Sequence, residues 1–243
     1  MRGFSFQPLP WTKKEVEAID ALLSPSPTPS HQGRGTALLY TGKEAKEEVL
    51  LQTRAPRILH LATHGFFLEE QDVSGVVQNT LPRSIFVVSE PSVPADLLRF
   101  ENPLLRSGIA LAGANKATGE EGRSEGIVTA EKILGLKLRG TDLVVLSACE
   151  TGLGDVQVGE GVYGLRRAFT QAGTKSLVMS LWSVPDKETQ ELMVQFYKNI
   201  LSGKLTRCQA LRQAALQEMQ IVKERYSHPH PLYWGAFVFL GEP

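Results

Sequence analysis

Two short apolar runs of the chain each end in a reactive side chain that a glycine or a Gly-rich turn follows. Residues 57–65 read Arg-Ile-Leu-His-Leu-Ala-Thr-His-Gly, and residues 142–154 read Asp-Leu-Val-Val-Leu-Ser-Ala-Cys-Glu-Thr-Gly-Leu-Gly. Apolar runs of this length are typical of buried parallel strands. In open α/β sheets, the loops beyond the carboxyl ends of the strands carry the functional groups. The pattern therefore predicts an α/β sheet with His64 and Cys149 at two neighbouring strand ends.

Composition narrows the possible functions. The chain has 243 residues, of which 42% are hydrophobic, and its Lys and Arg residues balance its Asp and Glu residues to zero net charge. No overall field attracts nucleic acid or an anionic membrane, so neither is expected as a partner. The uncharged stretches are shorter than the ~20 apolar residues of a membrane span, and the first residues lack a signal-peptide core, so we expect a cytoplasmic protein.

Turn residues and hydrophobic periodicity divide the chain into alternating strands and helices. Three Thr-x-x-Glu or Thr-x-x-Gln sequences, at Thr12, Thr41 and Thr206, predict helix caps of the capping-box type. A βαβ unit is expected from the strand at 36–40, the helix from Thr41 to about Leu51 and the strand at 58–62. The predicted strands are 36–40, 58–62, 85–88, 107–112, 143–148, 176–181 and 236–240.

The thiols and imidazoles differ in their settings. Cys149 ends a strand and precedes a turn and a helix, where a thiolate can be stabilised, whereas Cys208 lies on the apolar stripe of a helix and is expected to be inert. His60 lies inside its strand and is expected to be a buried histidine with satisfied hydrogen bonds. The other three histidines lie in Pro-rich loops, with no ligand spacing for a structural metal. No dinucleotide or P-loop motif is present, so we expect neither a metal nor an organic cofactor.

Five motifs follow one another along the chain, at 60–65, 146–152, 159–169, 180–186 and 230–238. Together they resemble the CHAT domain, a caspase-like branch of the cysteine peptidases. The resemblance implies a caspase-like three-layer sandwich, in which helices flank a mostly parallel central sheet. It implies one domain over 1–243, with an N-terminal helix and Pro/Ser-rich connector at 1–35 and a catalytic core at 36–243. It also implies a regulatory partner such as a TPR-type or other sensor module.

The resemblance further implies a cysteine endopeptidase with a Cys149/His64 dyad that acts on protein substrates. Cys149 would attack the peptide carbonyl and His64 would act as general acid and base. The backbone N–H groups of Gly65 and Cys149 would bind the oxyanion. Asp186 matches a position near the P1 pocket and would favour Arg or Lys there, but its position equally suits a cap of the following helix.

Other interpretations stay open on the sequence alone. Glu188 and Asp155 are alternative acids for the P1 pocket. The chain could instead be a catalytically silent adaptor that binds partners through the same fold, or a hydrolase or transferase of small molecules that uses the same nucleophile. Selective alkylation of Cys149 over Cys208 would favour an enzyme over the adaptor, and cleavage of an unstructured protein would favour the peptidase over the small-molecule enzyme. Loss of turnover in Cys149→Ala and His64→Ala is required for the dyad.

Overall fold

The computed structural model describes residues 6–24, 37–67, 103–116, 126–150 and 160–243. Its strands are β1 Ile58–Phe67, β2 Ser107–Ala110, β3 Ile127–Thr129, β4 Leu143–Glu150, β5 Ser176–Ser180 and β6 Phe237–Gly241. Its α-helices are α1 Pro10–Leu23, α2 Glu47–Gln52, α3 Pro103–Arg106, α4 Ala130–Leu134, α5 Glu160–Ala172, α6 Asp186–Leu201 and α7 Arg207–Tyr226, and 3-10 helices cover Gly42–Glu44 and Pro231–Tyr233.

All six described strands belong to one sheet, in the order β3-β2-β1-β4-β5-β6. The central strands β1, β4 and β5 are parallel, whereas β2 is antiparallel to both of its neighbours and β6 is antiparallel to β5. Four of the six strands, β1, β3, β4 and β5, therefore run in the same direction. The expected mostly parallel central sheet is confirmed, with two oppositely directed strands within it.

Helices cover both faces of the sheet. Alternate residues of β4 separate into two cores, because successive side chains of a strand point to opposite faces. Val144 and Leu146 pack with helices α4 and α5 around Phe169, whereas Leu143 and Val145 pack with α1, α6 and α7. This arrangement is the predicted three-layer sandwich.

The long periodic helices form where the sequence predicts them. The parallel pair β4 and β5 is joined through α5, whose end is followed by Gly173 at a φ of +107°. A left-handed glycine of this kind is the usual helix stop. The capping box at Thr206 is present, with the Thr206 hydroxyl bound to the Gln209 N–H and the Gln209 side chain bound back to the Thr206 N–H.

The predicted strand at 36–40 is wrong for its described part, because residues 37–40 form no strand. Leu38 is 76% exposed and belongs to none of the strands in the described part of the chain, so its apolar character does not indicate a buried strand here. The helix predicted after Thr41 is replaced by the 3-10 helix and α2, without a side-chain cap from Thr41. The βαβ unit at 36–62 therefore does not form, and the predicted strand at 85–88 lies outside the described residues.

The predicted capping box of the first helix is also wrong. α1 begins at Pro10, ahead of Thr12, and its N-cap residue Leu9 offers no side-chain hydrogen bond. Thr12 and Glu15 lie within the helix and make long-range contacts instead. Proline suits the first turn because its missing N–H would have no partner there.

Candidate functional site

The register of β1 and β4 brings the two predicted catalytic residues together. His64 lies directly opposite Cys149 in this parallel pair, and Gly65 lies opposite Glu150. Adjacent strands are ~4.8 Å apart, so the two backbones are neighbours at the carboxyl ends of both strands. Residues that are far apart along the chain thus lie at one edge of the sheet.

His64 is 9% exposed, and its imidazole lies beneath residues 6–9, the N-terminal segment that precedes α1. Its Nε2–H donates a hydrogen bond of 2.6 Å to the carbonyl oxygen of Gln7. The ring of Phe6 lies 5.5 Å from the His64 ring and 6.4 Å from that of Phe66. With its proton on Nε2, a neutral His64 keeps a lone pair on Nδ1, and Nδ1 is buried with no hydrogen-bond partner among the described residues.

Asn115, in the turn after β2, holds the segment that covers His64. Its side-chain Oδ1 accepts from the Phe6 N–H at 2.8 Å, and its Nδ2 donates to the Phe6 carbonyl at 2.8 Å. One amide side chain thus binds both backbone polar groups of Phe6. Neither contact has a local sequence signal, since 109 residues separate the partners.

Asp186 contacts helix α1. Its Oδ2 accepts from the Trp11 N–H at 2.7 Å and its Oδ1 from the Thr12 hydroxyl at 3.3 Å. The predicted alternative, a cap of its own helix, is wrong, because α6 begins at Asp186 with Pro185 as N-cap and no side-chain cap. The carboxylate instead binds the N-terminus of α1, where the helix dipole favours a negative charge.

Neither alternative acid for the P1 pocket is an exposed, unpaired carboxylate among the described residues. Glu188 is 2% exposed, and its Oε1 accepts from Arg225 at 2.7 Å and from the Tyr226 hydroxyl at 2.9 Å. Asp155 lies outside the described residues. Glu188 is therefore part of an internal network.

His60 has hydrogen-bond partners at both ring nitrogens, as its position predicts, and its side chain is 10% exposed. Its Nε2–H donates to Glu15 at 2.9 Å, and its Nδ1 lies 3.1 Å from the Tyr197 hydroxyl. Cys208 is exposed, which differs from the predicted position on an apolar stripe. Within the five described segments, no group of three or more His, Cys, Asp or Glu side chains could hold a metal ion.

Comparison with known proteins places the chain in a family. Residues 1–242 match the CHAT domain family. The chain belongs to the CHAT domain family. This family is described as caspase-like, and the three-layer α/β sandwich of the chain is consistent with that fold.

Two curated proteins are similar to part of the CHAT chain. It is 32% identical to the Tetratricopeptide repeat protein 28 of Mus musculus and 33% identical to the protein of that name from Homo sapiens, each over 115 residues. The alignments cover 47% of this chain and 4% of either relative. In the described part of the chain, no helix has the length and apolar character needed to cross a membrane.

Proposed function

We propose that this CHAT domain is a cysteine endopeptidase with Cys149 as nucleophile and His64 as general acid and base. The observation that carries the proposal is the register of β1 and β4, which makes these residues direct neighbours at the carboxyl edge of the sheet. A histidine beside a cysteine is the usual arrangement for activating a thiol. The caspase-like family supports the same chemistry.

The hydrogen bonding of His64 supports its role as a base. The Gln7 carbonyl accepts from Nε2–H, which leaves the lone pair of Nδ1 to take the proton of the Cys149 thiol. The thiolate then adds to the substrate carbonyl, the imidazolium returns its proton to the leaving amine, and an acyl-enzyme remains. His64 next takes a proton from water as the water oxygen adds to the thioester carbonyl. The C–S bond then breaks, the carboxylic acid product leaves, and the imidazolium returns the proton to the sulfur of Cys149.

The remaining site residues stay predictions. The backbone N–H groups of Gly65 and Cys149 are the predicted donors to the oxyanion. A basic P1 residue would have to contact Asp186 while Trp11 and Thr12 bind the same carboxylate. The division into an N-terminal part at 1–35 and a core at 36–243 is likewise a proposal.

The proposed partners are a protein substrate and a regulatory TPR-type or other sensor module. The names of the two similar proteins refer to tetratricopeptide repeats, and this supports the regulatory part of the proposal. A cytoplasmic location fits such a partner. A catalytically silent adaptor is the second candidate, because Phe6 and Gln7 cover the His64 ring.

A panel of fluorogenic peptides with different P1 residues, Arg and Lys included, tests the peptidase activity. We expect turnover by the wild-type protein, with a loss of about a thousandfold or more in Cys149→Ala and in His64→Ala. The exposed residues Cys208 and His228 provide matched controls, since Cys208→Ala and His228→Ala should retain turnover. Retained turnover in either dyad variant would reject the assignment.

Alkylation gives a second measurement that does not need a substrate. Iodoacetamide should modify Cys149 faster than the exposed Cys208, and His64→Ala should abolish this preference, because the base that generates the thiolate is lost. Peptide mass spectrometry measures both rates in one sample. No turnover together with an inert Cys149 would favour the adaptor.

A further inference from the structure

We propose that Asn115 is a positioning residue of the site, which holds the N-terminal segment so that the Gln7 carbonyl selects the tautomer of His64. The inference rests on the proposed function, because it assigns Asn115 a role in preparing the same imidazole. It adds a residue that lies outside the five motifs of the sequence. Its evidence is two sets of hydrogen bonds on consecutive residues: Asn115 binds the backbone of Phe6, and the carbonyl of the next residue, Gln7, binds His64.

The two hydrogen bonds of Asn115 fix both the position and the orientation of the Phe6 backbone. The amide donates to the Phe6 carbonyl and accepts from the Phe6 N–H, each at 2.8 Å. A bidentate contact of this kind restricts rotation as well as translation. The acceptor of His64 belongs to the very next residue, Gln7, so little freedom remains between the anchor and the carbonyl.

A second anchor lies on the other side of Gln7. Asp186 binds the Trp11 N–H and the Thr12 hydroxyl at the start of α1. Between the anchors, Pro8 and Pro10 fix their own φ angles near −65° and stiffen the connection. The carbonyl of Gln7 therefore belongs to a short segment that is held at both ends.

The tautomer of His64 determines whether it can act as the base. A neutral imidazole carries one N–H, and an acceptor at Nε2 favours the form in which Nδ1 has the lone pair. If the carbonyl of Gln7 moves away, the form protonated on Nδ1 becomes accessible, and this form cannot accept the thiol proton through Nδ1. Asn115 would thus affect catalysis without touching the substrate or the reacting atoms.

The test is the tautomer of His64, measured by ¹⁵N NMR of histidine-labelled protein. The spectra are recorded at about pH 9, where an ordinary imidazole is neutral, in a Cys149→Ala background that excludes an ion pair with the thiolate. The additional substitution His64→Gln identifies the His64 signals. We expect His64 to be protonated mainly on Nε2, and Asn115→Ala to shift it towards a mixture of both tautomers.

A second amide serves as the matched control. Asn199 accepts from Gln195 and donates to the Ala210 carbonyl at the junction of α6 and α7, so Asn199→Ala also loses two hydrogen bonds. It should leave the His64 tautomer unchanged. With Cys149 present, kcat/KM should fall about fivefold to tenfold in Asn115→Ala by a similar factor for every peptide, and stay near wild type in Asn199→Ala.

An unchanged tautomer in folded Asn115→Ala would overturn the proposal. A rise in turnover would also overturn it, because the N-terminal segment would then block the site. The NMR result does not depend on turnover. A tautomer shift in a protein with no peptidase activity would therefore reject the proposed function while Asn115 keeps its effect on His64.

Discussion

The two histidines of β1 show how different environments give the same residue different roles. His64 has Nδ1 buried without a partner among the described residues, whereas both ring nitrogens of His60 are bound. Burial, and secondarily the nearby Glu15 carboxylate, raises the pKa of Tyr197, so its hydroxyl keeps its proton and can donate to His60 Nδ1. His60 thus links α1 and α6 to the sheet.

We expect the contact of Glu15 with His60 to stabilise the fold. Glu15 is 1% exposed, and Glu15→Ala leaves the part-buried Nε2–H of His60 without this acceptor. The free energy of unfolding should fall by about 2–3 kcal/mol, measured by urea denaturation. Glu17→Ala is the control on the same helix, since its surface pair with Lys13 contributes less than about 0.5 kcal/mol. Equal losses in the two variants would contradict a special role for Glu15.

At the residue level, the sequence predicts which strand residues matter but not what they contact. The sequence separates the roles of His60 and His64 because His60 lies inside an apolar run and His64 lies at its end. Their partners Glu15 and Gln7 belong to the N-terminal segment, 45 and 57 residues away. Such contacts depend on how α1 docks, which no local pattern determines.

At the level of elements, Asp186 connects the start of α1 to the start of α6. We expect Asp186→Ala to lower the free energy of unfolding by about 1–2 kcal/mol, because the Trp11 N–H loses its acceptor at a helix N-terminus. Asp186→Asn keeps an acceptor oxygen and should lose less. Urea denaturation measures both variants, and Glu17→Ala, at an exposed position of α1, is the control with little expected loss. A stability equal to wild type in Asp186→Ala would contradict the proposal that Asp186 stabilises the N-terminus of α1.

The same variants decide the predicted P1 contact. If Asp186 recognises a basic side chain, Asp186→Asn should lower kcat/KM for P1 Arg relative to P1 Leu. If it only holds α1, the ratio should stay constant while both rates change together. Kinetics on paired peptides that differ only at P1 provides the measurement.

Elements with a strong period were predicted well, and short ones with few contacts were not. Helix α6 buries a continuous apolar stripe, so its periodicity reflects real packing. Helix α7 forms as predicted, but its buried face includes Ala214 and Glu218 and leaves Cys208 exposed. The local sequence also predicted a strand at 36–40 and a capping box at Thr12. Neither forms in the described residues, and Thr12 makes a tertiary contact instead. Thr12 binds Asp186, which is 174 residues away.

At the scale of the whole molecule, buried and partly buried charged side chains meet at the interface of α6 and α7, on the face of the sheet that also carries α1. Arg225 forms ion pairs with Glu188 and Glu191. Glu218, 1% exposed, has its Oε1 buried with no hydrogen-bond partner among the described residues. Burial, then the carboxylates of Glu191 and Glu188, raise the pKa of Glu218 to about 7, although Arg225 opposes them.

This raised pKa predicts how the stability of the whole domain depends on pH. Between about pH 4.5 and 7, the folded protein keeps the proton of Glu218 while the unfolded chain loses it. The stabilising contribution of the protonated group is therefore fully present below about pH 4.5 and is lost as the pH rises towards 7. Glu218→Gln removes this titration, so it should be more stable than wild type at pH 8, by on the order of 2–3 kcal/mol.

Urea denaturation of wild type and Glu218→Gln at pH 4.5, 6 and 8 measures the difference directly. All other titrating groups are common to both proteins, so their effects largely cancel in the comparison. The two stabilities should be similar at pH 4.5 and diverge as the pH rises, whereas Glu224→Gln, at an exposed position of the same helix, should show no such divergence. A constant difference between wild type and Glu218→Gln at all three pH values would mean that Glu218 ionises in the folded protein as it does in the unfolded chain.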